Sequence, residues 1–265
     1  MKREFAVLGM VICLVVGGLS GWLIPTFLGA QPRVSLLDEI KSRGHMIVGT
    51  SSDWPPFEIF NVTTDKLEGF DIDLCELIAD YLNVTIQWQD MSFDLLVEAC
   101  RQGTVDLIAA ALFITEDRLE VLAPSVPYIR TNEVVIVLEN STITISDLSD
   151  LTAYENPPYG IGVQTGTAEQ YELDDLGISY TDYPRADVLI QALVNGIIKV
   201  AYVDEPVFTV WSKTFDLKSI FTVLAEPTAL FTRLGEPEFL QAINTVIVNS
   251  YKDGTLDSLI EKWFT

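Results

Sequence analysis

Short apolar runs alternate with segments of helical period along most of this chain, and that alternation narrows its fold more than any other feature. Met46-Ile47-Val48 is a strand-like run, and the loop Thr50-Ser51-Ser52-Asp53-Trp54-Pro55-Pro56-Phe57 follows it. Leu74, Leu77, Ile78, Tyr81 and Leu82 recur at intervals of three and four, so they share one helix face. Residues 84–88 alternate as a half-buried strand. A helix from about Ser92 groups Leu96, Ala99 and Cys100 and stops at Gly103, a residue that accepts the left-handed backbone of a helix end. Residues 107–110 form the next strand. Strand and helix in this order pair the strands in parallel through right-handed crossovers, which makes the chain an α/β protein.

The second half repeats the theme. Residues 134–138 read as a crossing strand and residues 147–158 as a polar excursion marked by prolines. Gly160-Ile161-Gly162-Val163 is a strand that runs into Gln164-Thr165-Gly166-Thr167-Ala168 and a helix. A helix near 186–195 and a strand over 200–203 lead to Asp204. Pro237 opens a helix to about Lys252, Gly254 breaks it, and a short last helix ends at Lys262-Trp263-Phe264. Two such units with no extended linker predict lobes that share a cleft.

Acidic residues outnumber basic ones by 38 to 16. That balance argues against a nucleic-acid surface, which needs clustered Lys and Arg, and reads as solubility or adaptation to a salty medium. His45 is the single histidine, which excludes most His-metal clusters and any triad needing a second imidazole; it reads as a surface residue. Cys13, Cys75 and Cys100 are too few for a zinc framework, and no Gly-rich phosphate loop or GxSxG elbow occurs. No metal or cofactor is expected, and the negatives weigh against catalysis.

After Lys2-Arg3-Glu4, residues 5–30 carry no charge, and as a helix they would span about 39 Å, enough to cross a bilayer. Leu28 stands where a signal peptidase prefers a small residue, so an uncleaved anchor is favoured over a cleaved signal, with Lys2-Arg3 in the cytoplasm. Either way the bulk is exported, and the sequons at Asn61, Asn83 and Asn140 are compatible with glycosylation there. Cys75 and Cys100 fall on adjacent helices, where packing as free thiols is preferred over a disulfide.

Several pieces occur in a telling order: Val48-Gly49-Thr50 to Pro55-Pro56-Phe57, Gly69-Phe70-Asp71-Ile72-Asp73-Leu74, Gly103-Thr104-Val105-Asp106-Leu107, Ile114-Thr115-Glu116-Asp117-Arg118, Gly162-Val163-Gln164-Thr165-Gly166-Thr167, Ala201-Tyr202-Val203-Asp204 and Asp253-Gly254-Thr255-Leu256. From about Ile40 to Phe264 the chain thereby resembles the extracytoplasmic amino-acid-binding proteins of ABC importers, the family 3 solute-binding proteins. The resemblance implies a two-lobed periplasmic-binding-protein fold of type II with two hinge crossovers. It divides the chain into an N-terminal segment and tether over 1–35, lobe one over 36–130 plus 230–265, and hinge strands with lobe two over 131–229. It also implies a monomer that captures an amino acid in the cleft and delivers it to an ABC transporter permease.

The resemblance assigns roles that chemistry supports. Arg118 matches the clamp of the ligand α-carboxylate, a job for a planar fork. Thr167 and Ala168 open a helix whose N–H groups hold the same carboxylate. Asp204 matches the partner of the α-ammonium, Trp54 and Phe93 the aromatic walls, and Ser51 and Gln164 the groups touching the variable part. Taken singly, Arg118 reads as a surface ion pair, Asp204 as a helix cap, and Trp54 and Phe93 as packing; only the joint pattern reverses this. Ala111 and Phe113 depart from the family's Gly and Ser or Thr: Ala111 still offers a carbonyl, while Phe113 removes a hydroxyl and adds bulk. These walls predict a polar uncharged or modestly apolar amino acid, with Asp53 and Glu58 leaving a basic one open. The rival is a cyclohexadienyl-acid dehydratase on the same scaffold, which would need a cleft carboxyl as general acid. A receptor's sensor domain is third.

Overall fold

The computed structural model describes residues 34–156 and 160–265, so the proposed N-terminal anchor lies outside the described residues. Among the described residues no helix is long and apolar enough to cross a membrane. The first strand, His45–Thr50, is flanked in parallel by Thr85–Asp90 and Leu107–Ile108. Phe231–Arg233 pairs against Leu107–Ile108 in the opposite direction, and Leu122–Pro124 forms the far edge. The second sheet has the order Thr181–Tyr183, Ile161–Gln164, Val200–Asp204, Asn132–Leu138, Leu217–Leu224, with Asn132–Leu138 reversed. Both sheets therefore place three parallel strands first, a reversed strand fourth and a last strand parallel to the first three.

The expected strand at 134–138 is the inner part of Asn132–Leu138, which lies inside the second sheet and is buried along five of its residues. The crossing itself is made between Pro124 and Asn132 and again between Leu224 and Phe231, and Ile129 bridges Thr228 where the two passages meet. The helix expected from Ser92 is a short 3-10 turn, Phe93–Leu95, followed by Leu96–Arg101, and Gly103 ends it with φ 76°. Pro237–Asp253 buries Phe239, Ala242, Ile243, Val246 and Ile247, the single stripe its period requires, and Gly254 closes it at φ 82°. Cys75 and Cys100 are both free and buried, and burial pushes the Cys100 thiol up to about 12, so it stays protonated.

Two of the acidic motifs serve as scaffold. Asp106 accepts the Ile47 N–H at 2.7 Å and pairs with Arg43, tying the first strand to its neighbour. Asp73 accepts from Trp263 Nε1 and Lys262 Nζ, both at 2.7 Å, which docks the C-terminal helix Thr255–Phe264. Phe264 completes that docking with ring centroids 5.1 Å from Phe57 and 5.4 Å from Phe70. Gly69 opens the helix Phe70–Leu82 at φ 145°, and a Cβ there would lie 2.1 Å from the Phe57 carbonyl oxygen. We expect Gly69→Ala to lose about 1–3 kcal/mol of stability, read as a lowered midpoint in urea unfolding, because the backbone must move to admit one methyl.

Candidate ligand-binding site

Residues distant in sequence meet here because their loops leave the C-terminal ends of parallel strands, where open α/β sheets form crevices. Trp54 follows His45–Thr50, and Phe93 follows Thr85–Asp90. Ala111, Phe113 and Arg118 follow Leu107–Ile108, Thr167 and Ala168 follow Ile161–Gln164, and Asp204 ends Val200–Asp204. Eight of the ten residues singled out in the sequence line one cavity of about 10 Å³, and Glu169 joins them. That is room for a single water. A cavity of about 360 Å³ shares Phe93 and Arg118 with it, and one of about 280 Å³ shares Phe113 and Ala168.

Arg118 is 4% exposed and projects from the short helix Glu116–Val121. Its Nη1 donates to the Phe113 carbonyl at 2.9 Å and its Nη2 to the Gly166 carbonyl at 3.2 Å, so it already touches both sheets' loops. The Phe93 ring lies 5.6 Å from the guanidinium carbon. Gly166 has φ 82°, and a Cβ on it would lie 2.9 Å from Asp94 Cα, so glycine is what lets the two loops touch. Ala111 sits at φ 51°, rare for a residue with a Cβ, and donates its N–H to buried Asp71 at 2.9 Å. Asp71 thus fixes the loop that carries Ala111 and Phe113. Thr167 caps the helix Ala168–Asp175, its hydroxyl oxygen accepting the Gln170 N–H at 3.4 Å while its proton goes to the Gln164 carbonyl at 2.9 Å.

Asp204 stands at the N-cap of Glu205–Trp211, yet its side chain makes no cap bond; its Oδ2 accepts Trp54 Nε1 at 2.7 Å across the cleft. Ser51 and Gln164 lie outside the wall of the small cavity. Both are held by Asp53, which accepts from Ser51 Oγ at 2.7 Å, Gln164 Nε2 at 3.3 Å and the Ala186 N–H at 2.5 Å. Asp53 therefore joins the first strand's loop to the start of the helix Ala186–Val194.

Sequence reasoning missed the acids behind the site. Glu133 faces Asp204 directly in the antiparallel ladder, and oxygens of Glu133, Glu169 and Asp204 lie within 4.8 Å of one another. The signal was there, an acid at the start of the apolar run Asn132–Leu138 and another just after Thr167-Ala168. The Tyr202 hydroxyl lies 3.0 Å from Glu133 Oε2 and 2.6 Å from Glu172 Oε2, and one hydroxyl proton cannot serve both. A carboxyl proton must complete that arrangement. Burial, reinforced by the Glu169 and Glu172 charges, lifts Glu133 to about 9. Burial first, then neighbouring carboxylates, pushes Glu169 and Asp204 well above the carboxylate range, and Trp54 and Arg118 only partly oppose this at Asp204. Glu58, wholly buried near Asp71, Asp53 and Asp204, is raised in the same way, and Asp71 is raised to about 6 by burial.

These raised values give stability a definite slope with pH. Between the unfolded carboxyls, near about 4, and the raised native values, the folded chain holds more protons than the unfolded chain, so stability falls as pH rises. We expect calorimetry to show a falling Tm from pH 5 to pH 9, and Glu133→Gln to flatten the upper part of that slope. A Tm that rises over this range would contradict the burial of these groups as acids.

Comparison with known proteins gives the family and the fold. Residues 46–265 match the family model of bacterial extracellular solute-binding proteins, family 3. The L-cystine-binding protein TcyJ of Escherichia coli is 26% identical, covering 98% of this chain and 94% of its own. A solved mutant of ArgBP from T. maritima is 32% identical with a TM-score of 0.81, over 86% of this chain and 98% of that one. The ancestral amino acid-binding protein AncCDT-1, a precursor of cyclohexadienyl dehydratase, is 28% identical with a TM-score of 0.78, over 88% and 100%.

Proposed function

The chain belongs to the bacterial extracellular solute-binding proteins, family 3, and on that premise we propose that it captures an amino acid in the cleft and delivers it to an ABC importer. The observation that carries this reading is the meeting of Arg118 and Asp204, two buried groups of opposite charge brought from different sheets into one aromatic-walled cavity. A zwitterion presents the two charges in that order. Arg118 and the first-turn N–H groups of Ala168–Asp175 hold the α-carboxylate, and Asp204 with the Ala111 carbonyl holds the α-ammonium. Trp54, Phe93 and Phe113 exclude water from the side chain, and Ser51 and Gln164, set by Asp53, are next to its far end. The relatives' names include cystine and arginine, which supports the amino-acid class rather than one member. In this reading residues 36–130 with 230–265 move as one lobe and 131–229 as the other.

We further take residues 5–30 as an uncleaved membrane anchor and the exported body as a monomer; Asn83 and Asn140 are exposed enough for modification. Mass spectrometry of the membrane fraction should show an intact N-terminus, and finding only a form that starts near Gln31 would remove the anchor.

Removing one partner of a buried charge pair costs about 3–5 kcal/mol. Arg118→Ala and Asp204→Ala should therefore bind the best of the twenty amino acids about 100- to 3,000-fold more weakly by calorimetry, after a thermal-shift screen has identified it. Arg118→Lys should also lose affinity, since a point charge cannot copy the fork. The kinship with a dehydratase precursor keeps one second reading in view, because a buried protonated carboxyl is what a general acid requires. Product formation from prephenate-like acids, with no amino acid raising the Tm, would replace the binding reading with that one.

A further inference from the structure

The site as read above uses one carboxylate for the ammonium, but the structure supplies more. Asp204 and Glu169 are each 2% exposed, and Asp204 Oδ1 and Glu169 Oε1 accept no hydrogen bond from any described residue. They come from different elements, the end of Val200–Asp204 and the first turn of Ala168–Asp175. With an oxygen of each inside the same 4.8 Å cluster, they stand close enough for one ammonium to bridge them by donating one N–H to each. Two buried carboxylates this close do not ionise together, so a proton is held between them.

We propose that Glu169 is the second half of the ammonium seat, and that the ligand's ammonium enters between Asp204 and Glu169 in exchange for the proton they hold. The inference rests on the amino-acid reading of the site. The proton and the ammonium compete for the same gap, so one proton leaves to the buffer as one ammonium binds. Both carboxylates are then ionised against the ammonium. Glu169 bears that charge because it lies in the first turn of a helix, where the backbone dipole favours an anion. Glu133, facing Asp204 from the neighbouring strand, keeps its own proton in the arrangement with Tyr202 and Glu172. Among the described residues Glu58 and Arg118 also act on the pair, and Arg118 turns to the ligand carboxylate. The site thus prefers a primary ammonium to any ligand lacking one, and its grip weakens as the medium becomes acid.

The test is calorimetry of the full chain with its best amino acid at pH 7, in two buffers of different ionisation enthalpy. The expected result is release of about one proton per ligand bound and a Kd that rises about tenfold for each pH unit downward. Glu169→Gln keeps an acceptor but holds no titrating proton: it should bind about tenfold more weakly at pH 8, release no proton and lose the pH dependence. Glu133→Gln should still release one. Binding without proton release by the unmodified chain, or equal release by Glu169→Gln, overturns this inference and leaves the amino-acid reading standing. Binding by none of the twenty amino acids overturns both.

Discussion

The buried carboxylate of Asp204 is the charge around which the two sheets are organised. It ends an apolar strand, has Glu133 opposite it in the ladder, and accepts the indole N–H of Trp54 from across the cleft. An ion in such a place costs several kcal/mol unless something of opposite sign or a proton accompanies it. Every neighbour of the cavity can be understood as part of the answer: Trp54 donates, Arg118 lends a charge from the first sheet, and Glu169 and Glu133 take up protons. A cleft built this way rewards a cation that arrives already paired with an anion.

The positioning of those groups depends on residues that never reach the cavity. Asp71 holds the N–H of Ala111 and so sets the loop on which Phe113 and Arg118 stand. Asp106 fixes the first strand to the strand before that loop. Asp53 draws Ser51, Gln164 and the Ala186 N–H to one carboxylate. Three short acidic motifs thus serve geometry, while the charges that meet the ligand lie at strand ends between them.

What could be read from the residues followed from periodicity and from unequal chemistry. The helix Phe70–Leu82, the helix Pro237–Asp253 with Gly254 after it, and the strands His45–Thr50 and Ile161–Gln164 announced themselves by spacing. Leu122–Pro124, Phe231–Arg233 and the small sheet of Asp53–Trp54, Glu58–Asn61 and Lys66–Glu68 did not, because two to four residues are too few to show a period. The site's outer residues were legible through the family resemblance. Glu133 and Glu169 were not, because an acid in a strand or a first helical turn reads locally as a surface residue or a dipole partner. Their role appears only when the ladder register sets Glu133 against Asp204.

Four bonds join the two halves' loops without any third party: Trp54 to Asp204, Arg118 to the Gly166 carbonyl, and both the Ala186 N–H and Gln164 Nε2 to Asp53. They act as a spring catch. A cavity of about 10 Å³ admits a cargo only once the catch has opened, so what the catch contributes to the shut form is subtracted from the cargo's own affinity. At roughly 1 kcal/mol for each such bond, the subtraction is about three decades in Kd. The same catch slows entry, since arrival waits on release, and it hastens unloading once a transporter pries the loops apart. Retention time and capture rate are in this way set by bonds that no cargo makes.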